Sequence, residues 1–125
     1  LQDLCVDKGL GVIPFYSLAS GFLTGKYRSK ADLEGRARGS RVEKYLNERG
    51  LRILSALDEV AAAHAVAPAA VALAWMMTRP AVTAPIASAT SVGQLDELVA
   101  ATEMELSEAE IATLDAASAP LAAAA

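Results

Sequence analysis

The sequence predicts an α/β fold in which parallel strands are joined by helical crossovers, and three observations lead there. Two short apolar runs, residues 12–15 (VIPF) and 82–86 (VTAPI), break into small residues as buried parallel strands do where they enter loops. The stretch between them carries apolar residues at the three-and-four spacing of a helix face. The resulting order is strand, loop, helices, strand, helix, helix, which gives the strands a crossover long enough to run parallel. Composition agrees: the chain is 54% hydrophobic but only 5% aromatic. Alanine, leucine and valine must supply the packing, and alanine loses no side-chain entropy on entering a helix.

The elements follow in order. Residues 1–8 are expected to end a helix, with Gly9 as its stop signal. Residues 12–15 form the first strand, and Pro14 suits a point where ladder hydrogen bonding is running out. Residues 20–25 make one helical turn, and residues 27–40, polar and aperiodic, form a long loop. From Val42 the pattern is helical, with Leu51, Leu54, Leu57, Ala61 and His64 on one face and Ile53 and Val60 widening it. Pro68 opens a second helix, which carries Val71, Ala74, Trp75 and Thr78 on one face and ends at Pro80. After the second strand, a helix begins beyond Ser91 with Leu95, Leu98 and Val99 directed inward. Ser107-Glu108-Ala109-Glu110 is a capping box for a last helix bearing Ile111 and Leu114, and residues 121–125 are expected to fray. Two strands do not make a stable sheet, and an unpaired apolar strand invites association. That deficit points to one partial domain over residues 1–125.

Several functions are disfavoured. The net charge of −4 speaks against general nucleic-acid binding, which needs many cations to neutralise phosphates. No apolar stretch approaches the roughly 20 residues that span a bilayer, so no membrane partner is expected. A single Cys5 allows no internal disulfide, and no basic-then-apolar pattern marks a secretory signal; a cytoplasmic location is expected. Gly21-x-x-x-Gly25-Lys26-Tyr27 is one residue short of a P-loop and lacks the hydroxyl after its lysine. Gly9-x-Gly11 ends in Pro14 and precedes a strand, so the dinucleotide fingerprint fails. His64 reads as a structural histidine, one histidine and one cysteine make no zinc site, and Ser17 and Ser20 have no local base.

Two constellations remain. Seven of the eleven basic residues fall between Lys26 and Lys44, opposed only by Asp32, Glu34 and Glu43. This is either an ordinary solvated loop or a place for a small polyanion after a strand end. The second constellation, residues 86–97 (IASATSVGQLDE), is a strand end leading into a helix N-terminus. Such a terminus attracts phosphate through its unpaired donors and its dipole. Ser91-x-x-Gln94 is equally a capping box. Both readings hold together if Ser91 caps the helix while Ser88, Thr90, Gln94 and Glu97 face a ligand.

FYSLASGFLTGKY, ALAWMMTRP and PIASATSVGQLDEL, in that order, resemble the C-terminal part of the aldo-keto reductases. The resemblance implies the last two strands and associated helices of a (β/α)8 TIM barrel, whose sites lie at the C-terminal strand ends. It also implies a nicotinamide cofactor, NADP(H) in preference to NAD(H). Phe15 matches the aromatic that stacks on the nicotinamide, with Tyr16 beside it. Ser17, Leu18, Gly21 and Leu23 match the loop over the pyrophosphate, with Lys26 and Arg38 as phosphate partners. Ser88, Thr90, Gln94 and Glu97 match the group around the adenosine 2′-phosphate and adenine. The family more often has tyrosine followed by Ser-Pro-Leu where this chain has Tyr16-Ser17-Leu18. Relatives often carry Lys or Arg at positions 88 or 94, and asparagine where Leu98 stands. The family's tyrosine acid, lysine, aspartate and histidine match no residue here, so no catalytic residue is expected. The implied function is the cofactor-binding part of an NADP-dependent reductase, with a carbonyl substrate only in the intact protein. The alternative is a noncatalytic nucleotide-binding or assembly module that associates through exposed strands.

Overall fold

The computed structural model describes residues 1–122, and the expected fraying at residues 123–125 lies outside them. Six α-helices account for most of the order: α1 (Gln2–Asp7), α2 (Gly39–Val42), α3 (Glu48–His64), α4 (Pro68–Met77), α5 (Val92–Glu103) and α6 (Glu108–Ser118). Short 3-10 turns occupy Ala19–Thr24, Lys30–Leu33 and Glu43–Tyr45.

Local chemistry explains the helix boundaries. Asn47 caps α3 by accepting the Gly50 N–H at 3.0 Å, and Pro68 supplies the pre-set first turn of α4. Between them Ala65 adopts a left-handed conformation (φ 54°), and the helix axis turns by 97°. Ser107 and Glu110 close a reciprocal capping box on α6. Helix α3 packs on both α6 and α4, and α4 packs on α5. Consecutive residues 69–74 of α4 are therefore all buried, which is why this helix has no polar face.

The main core gathers Phe22, Tyr27, Val42, Leu54, Leu57, Val60, Val71 and Leu114. A smaller cluster of Ala70, Leu73 and Ala101 joins α4 to α5. Phe22 stacks on Tyr45 with ring centroids 5.6 Å apart, which pulls the loop after residue 15 onto the helices. Among the described residues no single helix is long and apolar enough to cross a membrane.

The expected two strands of a TIM-barrel portion are not formed: the described residues are helix-rich and contain no strand or sheet. Residues 12–15 and 82–86 do lie side by side, but they share one isolated parallel bridge, Val12 with Val82. The Val12 N–H donates to Ala81 O (2.8 Å), Thr83 N–H to Val12 O (2.9 Å) and Ile86 N–H to Pro14 O (3.0 Å). Pro14 and Pro85 contribute no N–H, so the ladder cannot extend. The inward assignment of Leu95 and Val99 also fails, since they are 52% and 50% exposed; Leu98 is only partly buried. Likewise Leu51 lies on the outer side of α3.

Candidate functional site

The chain leaves the Val12–Val82 bridge and presents Phe15 and Tyr16, both exposed, edge-to-face at 5.0 Å. Ser17 turns inward and is 2% exposed, its hydroxyl donating to the Pro14 carbonyl at 2.8 Å. That hydroxyl therefore shapes the turn. Ala19, Ser20 and Gly21 then take positive φ in succession (49°, 60° and 98°). A non-glycine residue held there costs roughly 1–3 kcal/mol and persists only where its surroundings enforce it. A Cβ on Gly21 would meet Lys26 and Tyr27 at ordinary contact distance, so it is backbone conformation that calls for glycine. Phe22 follows and is buried in the main core.

The second constellation meets the first through the Ile86 to Pro14 hydrogen bond. Ser91 caps α5, its Oγ accepting the Gln94 N–H at 3.2 Å. The Gln94 side chain does not close the box on Ser91. Its Oε1 accepts from the Thr90 N–H (2.8 Å) and the Thr90 hydroxyl (3.0 Å), one residue earlier.

Between these segments runs an open groove of about 790 Å³. Phe15, Tyr16, Ser17, Leu18, Gly21, Lys26 and Arg38 line it from one side, and Ser88, Thr90, Gln94 and Glu97 from the other. Of the residues that the sequence assigns to a cofactor, only Leu23 is outside; it packs against the main core instead. Arg36 and Arg41 also line the groove, as do Ser20, Thr24 and Leu98. Sequence reasoning counted both arginines in the basic run without selecting them. Nothing in the local pattern distinguishes them from Arg38, since the direction of each side chain is set by the turns at residues 30–33 and 39–42.

The electrostatics favour an anion. Lys26, Arg36, Arg38 and Arg41 face Glu97 as the only carboxylate of the lining. None of the four cations forms a salt bridge among the described residues. Two of the three acids of the basic segment, Asp32 and Glu43, are engaged elsewhere. Asp32 accepts from the Arg28 and Ser29 N–H groups and the Ser29 hydroxyl, and those bonds hold its carboxyl below the ordinary range. Glu43 pairs with Lys30 at 3.5 Å, and Arg28 forms a two-pronged pair with Asp58 at 2.7 and 2.8 Å. Lys26 Nζ lies 5.1 Å from the Tyr27 ring centroid, a loose cation–π contact. His64, away from the groove lining, bonds Glu110 at 2.7 Å and links α3 to α6, a structural role.

An α-helical body with a cation-lined groove between a left-handed loop and a capped helix suits a protein that binds an extended anionic ligand. The family model for the Aldo/keto reductase family matches residues 1–119, and the chain belongs to that family. It is similar to L-glyceraldehyde 3-phosphate reductase of Escherichia coli O157:H7, 34% identical over 122 residues, covering 92% of this chain and 35% of that protein. Protein tas of Escherichia coli K12 is 31% identical over 119 residues, covering 93% and 34%. Aldo-keto reductase yakc [NADP(+)] of Schizosaccharomyces pombe is 28% identical over 114 residues, covering 89% and 34%. The chain thus spans about a third of the length of these curated relatives.

Proposed function

We propose that residues 1–125, a single partial domain, form the cofactor-binding portion of an NADP-dependent aldo-keto reductase that works as part of a longer protein. The observation that carries this reading is that eleven residues assigned to a cofactor from sequence line one groove, although they come from segments far apart in the chain. Its unpaired cations suit a pyrophosphate. Phe15 and Tyr16 offer exposed ring faces and edges for the nicotinamide, and Lys26 and Arg38 neutralise the pyrophosphate carried over the loop of Ser17, Leu18 and Gly21. Ser88 and the Gln94 amino group hold the adenosine 2′-phosphate, Thr90 acts by orienting Gln94 through its two bonds to Oε1, and Glu97 accepts from the adenine amine. Leu23 acts indirectly by fixing the loop to the core.

When bound, the cofactor supplies the hydride that reduces a carbonyl to an alcohol in the longer protein. This chain orients the cofactor and is assigned no catalytic residue. NADP(H) is favoured over NAD(H), in keeping with the name of the Schizosaccharomyces pombe relative. The reaction and its carbonyl substrate belong to the same proposal, as does a cytoplasmic setting.

Titration of the purified chain with NADPH, followed by cofactor fluorescence, tests the reading. Saturable binding is expected, with Lys26→Ala and Arg38→Ala each weakening it about three- to tenfold, the size of one exposed charge-assisted contact. Unchanged affinity in both variants would remove the charge argument. A second reading, a noncatalytic assembly module, is favoured by a separate observation. Leu4, Ile13, Val92, Leu95 and Val99 are all large apolar residues left exposed.

A further inference from the structure

Beside the groove lies a second, smaller cavity of about 430 Å³, lined by Tyr16, Ser20, Ser40, Arg41, Lys44 and Tyr45. It shares Tyr16, Ser20 and Arg41 with the groove, so the two communicate across one wall. Its chemistry is distinct: two cations, two aliphatic hydroxyls and two phenol rings, with no carboxylate in the lining.

Neither cation is neutralised. Arg41 and Lys44 form no salt bridge among the described residues, and the intervening Glu43 is held by Lys30. Lys44 Nζ rests 5.0 Å from the Tyr45 ring centroid, and Tyr45 is fixed from behind by its stacking on buried Phe22. The platform under the ammonium is therefore rigid. The left-handed conformation of Ser20 (φ 60°) brings that residue to the wall common to both cavities.

We infer that this cavity is a separate subsite for a phosphomonoester dianion, supplied by a small phosphorylated molecule that lies beside the groove's ligand. Arg41 gives a planar fork of donors, Lys44 a compact charge, and Ser20 and Ser40 hydroxyl donors, a set that matches tetrahedral oxygens. At about 430 Å³ the space admits a phosphate with a few carbons. The anion assignment is argued from the lining of this cavity, three of whose six residues also line the groove, while the placement beside a cofactor rests on the proposed function; the two are tested separately.

The test uses the full chain, ¹⁵N-labelled, titrated with inorganic phosphate and with glycerol 3-phosphate, while NADPH affinity is measured in parallel. Saturable shifts centred on Ser40, Arg41, Lys44 and Tyr45 are expected. Lys44→Gln should weaken both anions about three- to tenfold while leaving NADPH affinity unchanged, because Lys44 lines only the smaller cavity. Ser40→Ala, also at an exposed position, should act in the same direction. Tighter binding of glycerol 3-phosphate than of inorganic phosphate would identify a phosphorylated organic ligand; equal binding would identify the free anion. Anion affinity unchanged in both variants would overturn the subsite. So would a parallel loss of NADPH affinity, which would make the cavity an extension of the groove. Absence of NADPH binding in the unmodified chain would count against the cofactor reading only.

Discussion

Glu110 performs two tasks with one carboxylate: it accepts from the Ser107 N–H and hydroxyl, and it bonds His64 on α3. The Ser107 bonds, first the backbone and then the hydroxyl, hold its carboxyl below the ordinary value, and His64 adds to them. The folded state thus favours the ionised form. Its stabilisation is complete above the ordinary glutamate range and is lost as pH falls through the depressed folded value. Acid titration followed by helical circular dichroism should show Glu110→Gln less stable at neutral pH, with the difference from the unmodified chain closing below about pH 4. A difference that does not narrow as the pH is lowered would mean that the carboxylate is not the source. Gly50 is a second residue with a readable cost. A Cβ there would overlap the Tyr45 carbonyl and press on the Phe22 ring. Gly50→Ala should therefore destabilise the chain by about 1–3 kcal/mol in urea denaturation, where an exposed helical glycine would gain stability from the same change. Neither effect was legible in sequence. The capping box at Ser107 was, because it is local; the His64 contact and the crowding at Gly50 join residues that only the fold brings together.

At the scale of elements, helices were read well and strands were not. Pro68, Ser91 and Ser107 mark their helix starts through neighbours within four residues, so the pattern alone carries them. A strand depends on a partner, and the apolar run at residues 12–15 finds only one bridge before proline interrupts. The same logic explains Leu95 and Val99, whose periodicity is helical but whose inward direction presumes something to pack against. Residues 27–40, expected to be an aperiodic loop, contain a 3-10 turn capped reciprocally by Ser29 and Asp32. That segment is tied to α3 by Arg28, which also donates to the Gly25 carbonyl at 2.7 Å. Arg28→Ala should cost about 1 kcal/mol or less globally, since the pair is half-exposed. It should nevertheless speed tryptic cleavage within residues 30–38 severalfold, because the basic loop loses its tether. Unchanged cleavage would locate the loop's order in the Ser29–Asp32 cap alone.

For the whole molecule, the outer side of α5, the first helix and the bridge segment each leave large apolar side chains uncovered. Val92 is 75% exposed, and Ile13 and Leu95 are more than half exposed. Such surfaces ordinarily mark interfaces. Sedimentation velocity should show concentration-dependent association, shifted toward monomer by Ile13→Lys and by Leu95→Glu. A chain that stays monomeric at all concentrations would show that the surface tolerates water. The family was recognisable because its motifs are short contiguous stretches, two of which run into helices α4 and α5, and most of the groove lining falls within such stretches. The sheet was misjudged because its existence depends on contacts no local pattern records.

The Thr90–Gln94 clip has a consequence for what the groove can distinguish. An amide side chain ordinarily offers a partner both a carbonyl and an amino group, and so tolerates ligands of either polarity. With its oxygen already accepting twice from Thr90, Gln94 has only its amino hydrogens to present. It has become a one-way contact that rewards lone pairs and offers nothing to groups that only donate, such as an ammonium. The intramolecular bond that orders the start of α5 therefore also fixes the polarity that Gln94 presents to that end of the groove.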